Sequence, residues 1–260
     1  MTRRHTLYIL LLLASPLMAQ TTTTTDPFDF RIRASVGVEK RIVKGFNAFV
    51  SEEVVTRDNV TNLSKLKTQA GLSYKPIPYF KMAADYTFYA IWHDPNSRHS
   101  SEFWDLRHRF RFHLYGIYKY RGWSFQLRES FQTTTKTEDI NLYQEPQTLL
   151  ELRSKLKVGY DCQSVPLSPY ISCELTNTLN AAQFNEARTE VTYDHAYIDK
   201  IRTTLGMVYQ PGKRHEIDFA LFYDRKYDYE WDATRKGKFK SVTYVIGNDL
   251  NLSVGYTFKF

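Results

Sequence analysis

Residues Leu106–Tyr118 read LRHRFRFHLYGIY, and their chemistry changes at every step. Leu106, His108, Phe110, Phe112, Leu114 and Tyr118 fall on one side of the alternation, while Arg107, Arg109, Arg111 and His113 fall on the other. A period of two belongs to a β-strand, whose successive side chains point to opposite faces. One face is greasy and the other cationic. A soluble barrel would turn the apolar face inward and leave the arginines in water, whereas a membrane barrel reverses this. Aromatic residues favour the second: Trp92, Phe103, Trp104, Tyr120, Trp123, Tyr160, Tyr170, Tyr209, Tyr227, Tyr229 and Trp231 cluster at the ends of such runs, where interfacial girdles sit.

The same alternation recurs along the chain in eleven runs, beginning at Phe28, Phe46, Leu66, Phe80, Leu106, Trp123, Leu150, Leu167, Ile198, Ile217 and Leu250. Runs of about ten to fifteen residues exceed the usual soluble strand and suit a tilted bilayer crossing. Short connections with Gly, Pro or Ser lie at 43–45, 76–79, 120–122, 164–166 and 211–213; long polar ones lie near 58–62, 94–103, 136–147, 180–193 and 230–238. The two sizes alternate. Short periplasmic turns facing longer extracellular loops are the asymmetry of an outer-membrane barrel. The expected fold is therefore all-β, a transmembrane antiparallel up-and-down β-barrel. Bacterial single-chain barrels have an even strand number with both termini periplasmic. Eleven runs then mean twelve strands, if a short one precedes Phe28, or ten, if Phe28–Val38 lies outside the wall. Twelve is the preferred count.

The chain begins with a sorting signal: Arg3, Arg4 and His5, an apolar stretch from Leu7 to Ala14, then Ser15, Pro16 and a small residue at Ala19 where cleavage is expected. Residues 1–19 read as the signal peptide, 20–27 as a flexible lead-in through Thr21–Thr25, and 28–260 as one barrel domain. The formal net charge of +7 includes Arg3 and Arg4, so cleavage leaves +5, too mild for a nucleic-acid partner. Aromatics at 15% argue against disorder, and two cysteines argue against a disulfide-dense scaffold or a multi-cysteine metal cluster.

The last run places Leu250, Leu252, Val254, Tyr256, Phe258 and Phe260 on one face. A terminal aromatic closing an alternating strand resembles the signal read by barrel-assembly machinery, here Tyr256, Phe258 and Phe260. Several further segments carry a wider resemblance: Gly71–Lys75 (GLSYK), Arg107–Arg111 (RHRFR), Pro169–Ser172 with Glu174, Arg202 with Gly206 and Tyr209, and Gly255–Phe260 (GYTFKF). Together they resemble the outer-membrane β-barrel family of Gram-negative bacteria known as domain of unknown function 2490. An early Trp of that family's first strand is replaced here by Phe28 and Phe30. The resemblance implies the barrel and an outer-membrane location, with no catalytic residues to carry over.

The face opposite the apolar one collects Arg107, Arg109, Arg111, Arg128, Arg153, Lys155 and Arg202, with Lys65, Lys67 and Lys157, against Glu174, Glu216 and Asp218, with Glu53, Asp85, Glu151 and Asp224. Charges of both signs meet inside a narrow tube. One reading is a filled polar core of paired charges and no enzymatic activity; another is a pore with a weak preference for small anions. A third is a lipid-modifying enzyme, for which His108 on the apolar face, with His93, His99 and His113 on the same or the neighbouring strand, supplies candidate bases. No Gly-x-Ser-x-Gly elbow and no His-Glu-x-x-His metal pattern accompany them, so no catalytic set, metal or cofactor is assigned. Cys162 and Cys173 flank the 164–166 turn; a symmetric register would let them bridge, and a one-residue slip would put them on opposite faces. The expected partners are outer-membrane lipid, lipopolysaccharide and the barrel-assembly machinery.

Overall fold

The computed structural model describes residues 21–94, 101–138, 140–185 and 188–260; the signal peptide read at 1–19 and His99 lie outside the described residues. Among the described residues every regular element is a strand: β1 (Thr21–Thr25), β2 (Asp29–Val43), β3 (Phe46–Arg57), β4 (Asn62–Ile77), β5 (Phe80–His93), β6 (Phe103–Tyr120), β7 (Trp123–Lys136), β8 (Thr148–Tyr160), β9 (Leu167–Phe184), β10 (Val191–Tyr209), β11 (His215–Ala233) and β12 (Phe239–Lys259). Each alternating run is one strand of the set β2–β12. From β2 to β12 neighbours in sequence are neighbours in the sheet, all antiparallel.

The sheet closes on itself where β12 pairs with β2, Leu250 opposite Phe30 and Phe258 opposite Val38. This seam is parallel by necessity. Antiparallel neighbours reverse at each step, so the first and eleventh strands of a ring run the same way. The wall is thus odd, unlike the even ring assumed from the sequence. The short strand before Phe28 that brings the total to twelve is β1, which runs parallel to Val242–Ile246 of β12, in line with β2. Three residues, 26–28, separate β1 from β2 against two on β12, a bulge in one continuous edge. β2 therefore starts at the long-loop end, whereas β12 finishes at the short-turn end.

The short turns have the backbone their residues permit. Arg121 and Gly122 join β6 to β7 with φ of 46° and 86°, the two positive values of a tight hairpin whose twist matches its strands. At the other end β9–β12, with 18 to 21 residues each, outlast the 12 of β3. Residues 140–147 fold across that end. Asn141 Nδ2 donates to the Ala233 carbonyl at 2.8 Å, the Tyr193 hydroxyl donates to the Leu142 carbonyl, and Tyr143 lies against Gly237 so closely that a Cβ there would come within 2.7 Å of its ring.

The two faces of the wall are inverted relative to a soluble barrel. Phe110 and Leu205 face outward with 60% and 64% of their surface exposed, as do Val50, Leu72, Phe112, Leu127, Ile171 and Leu221. Inside lie Gln132, Thr176, Asp224 and Asn251, each 2% exposed or less. The tube's core is polar. On the outer face the apolar residues of β11 and β12 give way toward the loops at Arg225 and Asn248, which stand opposite each other. Aromatic pairs mark strand ends: Trp92 with Trp104 at 4.8 Å, and Trp123 with Tyr160 at 5.2 Å.

Candidate functional site

The pleat and the pairing register together set the lumen's chemistry, because residues opposite each other on one face touch across strands. Asp85, Arg111, Gln132 and Glu151 form one row over β5–β8. Along it Arg111 Nε donates to Asp85 Oδ1 at 2.9 Å and Gln132 Nε2 donates to Glu151. A second row over β7–β11 runs Arg128, Lys155, Glu174, Arg202, Asp224. Glu174 receives Arg128 Nη2 at 2.5 Å and also Arg153; Arg202 grips Asp224 with two parallel bonds of 2.6 and 2.7 Å. Glu53 is shared by Lys67 and Arg33. Toward the turns, Asp218 accepts the Tyr170 hydroxyl at 2.9 Å, and Glu216 takes Lys259 at 2.5 Å. Among the described residues Arg109 bonds no carboxylate: it donates to the Tyr89 hydroxyl and to Thr134 Oγ1, with its guanidinium 4.4 Å from the Tyr89 ring centre. Arg107 pairs with Asp105. Lys155 forms no hydrogen bond or ion pair among the described residues.

Above these rows, at the loop end, lies a chamber of about 400 Å³. Its wall includes Arg107, Lys136, Asp199, Lys200 and Lys226, and Glu145 of the 140–147 segment roofs it, paired with Lys136. A bulge in β10 between Ile198 and Lys200 turns Asp199 into the chamber beside Lys200. Asp199 lies loopward of the level of Arg225 and keeps a buried Oδ1 without a hydrogen-bond partner. Burial, with repulsion from Glu151, outweighs the pull of Lys200 and Arg153 and pushes its pKa up to about 7.

Among the described residues His108 has a phenol, not a serine or a carboxylate, as its hydrogen-bond partner. Its Nδ1 is 2.6 Å from the Tyr86 hydroxyl, and its ring packs on Tyr86 and Phe88, so a polar group on the apolar face is satisfied by a neighbouring phenol. A serine–histidine–carboxylate set occurs instead inside the lumen and was not recognised from sequence. His113 Nε2 stands 2.7 Å from Asp85 Oδ2, and its Nδ1 stands 2.6 Å from Ser130 Oγ. Only the register of two hairpins, with His113 opposite Ser130, brings them together. Ser130 is 1% exposed and Asp85 also holds Arg111, so no carbonyl substrate reaches the hydroxyl. The set is a buried relay that satisfies three polar groups at once.

The cysteines do not bridge. Register places Cys173 opposite Leu156, while the Cys162 amide bonds the Leu167 carbonyl at 3.0 Å, and both thiols are free. Six residues of strand, about 20 Å, separate their levels, far beyond the reach of a disulfide. At the carboxyl end, Tyr256 meets His215 Nδ1 at 2.9 Å, Phe258 packs on Phe260, and Phe260 is tied to β2 by its amide to Glu39 and its carbonyl to Arg41.

Residues 28–236 match the protein family described as Protein of unknown function (DUF2490), and the chain belongs to that family. No curated protein matches it.

Two outcomes test this description. Ser130→Ala is expected to lower unfolding free energy by about 1 kcal/mol, the worth of one buried hydrogen bond. A serine-directed fluorophosphonate should leave the folded wild type unlabelled; labelling at Ser130 would make the relay an accessible nucleophile. Asp199 holds its proton to higher pH folded than the ordinary 3.8, so its contribution to stability falls as pH rises from about 4 to about 7. Asp199→Asn should therefore gain on the wild type between pH 5 and pH 8 in urea titrations, and a constant difference between the two would contradict the assignment.

Proposed function

We propose that this DUF2490 member is an outer-membrane barrel without enzymatic activity, its lumen filled by its own paired side chains and its loop end turned to the outside. The inverted wall carries the reading. Outward Leu, Val, Ile and Phe are costly in water, and the paired charges of the lumen would be costly in lipid, so both faces match a barrel crossing a bilayer. The aromatic pairs near strand ends fit the girdles of such a barrel, and the terminal Tyr256, Phe258 and Phe260 fit its assembly signal. At the loop end, Arg188 and the exposed Tyr193 near the start of β10 suit contact with lipopolysaccharide at the outer surface.

The odd wall makes location testable. An epitope inserted before Thr21 is expected to be labelled on intact cells, because β2 enters from the loop end; one in the 211–213 turn should be labelled only after permeabilisation. The opposite pattern, or recovery of folded protein in a soluble fraction, would overturn the proposal. Refolded protein in a planar bilayer, shown to be folded by its altered mobility before boiling, is expected to pass no discrete current. Reproducible steps would replace the filled lumen by a small-solute pore.

A further inference from the structure

The loop-end chamber is out of charge balance. Among the described residues four cations line it, and three of them are already answered: Arg107 pairs with Asp105, Lys136 with Glu145 and Lys226 with Asp249. Lys200, buried beside Asp199, is the fourth. Against it stand Asp26, Asp199, Asp228 and Glu230, and none of these carboxylates forms an ion pair among the described residues. Asp199 Oδ1 is buried inside the chamber without a hydrogen-bond partner. Asp228 receives only the Tyr197 hydroxyl, which donates to its Oδ1 at 3.1 Å.

These acids are strung out and do not converge. Asp228 and Glu230 share one face of β11, about 7 Å apart along the strand, both loopward of Arg225. Asp26, in the 26–28 bulge, lies beside Gly247, where a Cβ would come within 3.6 Å of its Oδ2. Partial burial and repulsion from Glu145 push the Asp228 carboxyl above its usual range, and partial burial with repulsion from Asp228 and Asp26 does the same for Glu230. Asp26, Asp228 and Glu230 are exposed and form the mouth, with Asp199 deeper inside. The wall between carries Tyr197, its ring edge-on to Tyr229 at 5.2 Å, and the apolar Leu149, Ala181, Ala182 and Val245. No group of acids and histidines among the described residues is close enough to hold a metal ion. A point charge cannot answer carboxylates so spaced. A flexible chain bearing several ammoniums can, with its methylenes along the apolar wall and a tyrosine ring beside it.

We propose that the chamber binds a linear polyamine of the spermidine type, one ammonium at Asp199 and the others at the mouth carboxylates Asp228, Glu230 and Asp26. Its volume of about 400 Å³ gives such a chain room. Unanswered carboxylates at the mouth draw cations toward it. Below the chamber the paired rows fill the tube, so the ligand is held and not passed on. The inference rests on the chamber and its charges and not on where the barrel sits.

Thermal unfolding of the refolded mature chain in a maltoside detergent, with spermidine compared against magnesium chloride at equal ionic strength, tests it. Binding to the folded state alone raises the transition in a saturable way. Asp199→Asn, and the double change Asp228→Asn with Glu230→Gln, are each checked for folding by mobility before boiling. Each is expected to weaken apparent spermidine affinity about tenfold, and either suffices if the other does not fold. A wild type that responds to spermidine no more than to magnesium overturns the site, as does a folded variant that keeps the full spermidine response.

Discussion

A closed wall leaves every second side chain one place to go, the inside of the tube. That confinement governs the molecule. Charges inside are held away from bulk water, so most meet an opposite charge, a hydroxyl or a ring, and the pairing register decides which. Asp85 with Arg111, Glu174 with Arg128 and Arg153, and Asp224 with Arg202 all join residues on paired or nearby strands. Removing one partner would strand the other, at about 3–5 kcal/mol for a buried pair. The lumen is thus held by the same hydrogen-bond ladder that builds the wall, and several strands are fixed to a neighbour twice, by backbone and by charge.

Much of this was legible in the sequence because a period of two survives any tertiary detail. Eleven alternating runs became eleven wall strands, and the arginines at 107, 109 and 111 fell on the face opposite Phe110 and Phe112. What stayed hidden depends on register, which one-residue slips change and composition does not record. The meeting of His113 with Ser130 and Asp85 needs two hairpins aligned to the residue. The separation of Cys162 from Cys173 follows from the same kind of alignment around an asymmetric turn. The bulge that turns Asp199 inward, and the loop that roofs the chamber with Glu145, leave no periodic trace at all.

Parity was the other blind spot. A run count of eleven looked like a miscount because hairpin logic favours even rings, yet an odd ring needs only one parallel pair. Clasping interactions sit at that pair. Arg31 bonds Asp29 at 2.6 Å and lies 3.5 Å from Asp249, and Arg33 Nε reaches Asn251 at 3.1 Å. Asp29 also accepts the Asn59 amide at 2.8 Å, which ties the β3–β4 loop to the start of β2.

That seam also sets the order in which the molecule is assembled. Every other wall pairing joins strands adjacent in sequence and forms as a hairpin, with little chain to immobilise. β2 with β12 joins Phe30 to Leu250, nearly the whole length of the described chain. Its loop-closure entropy is the largest in the protein, and slanted parallel bonds return slightly less per residue than antiparallel ones. The barrel is therefore a ribbon of ten successive hairpins for most of its folding, with two unpaired edges, and becomes a tube in one late zippering event that is also the first to reverse.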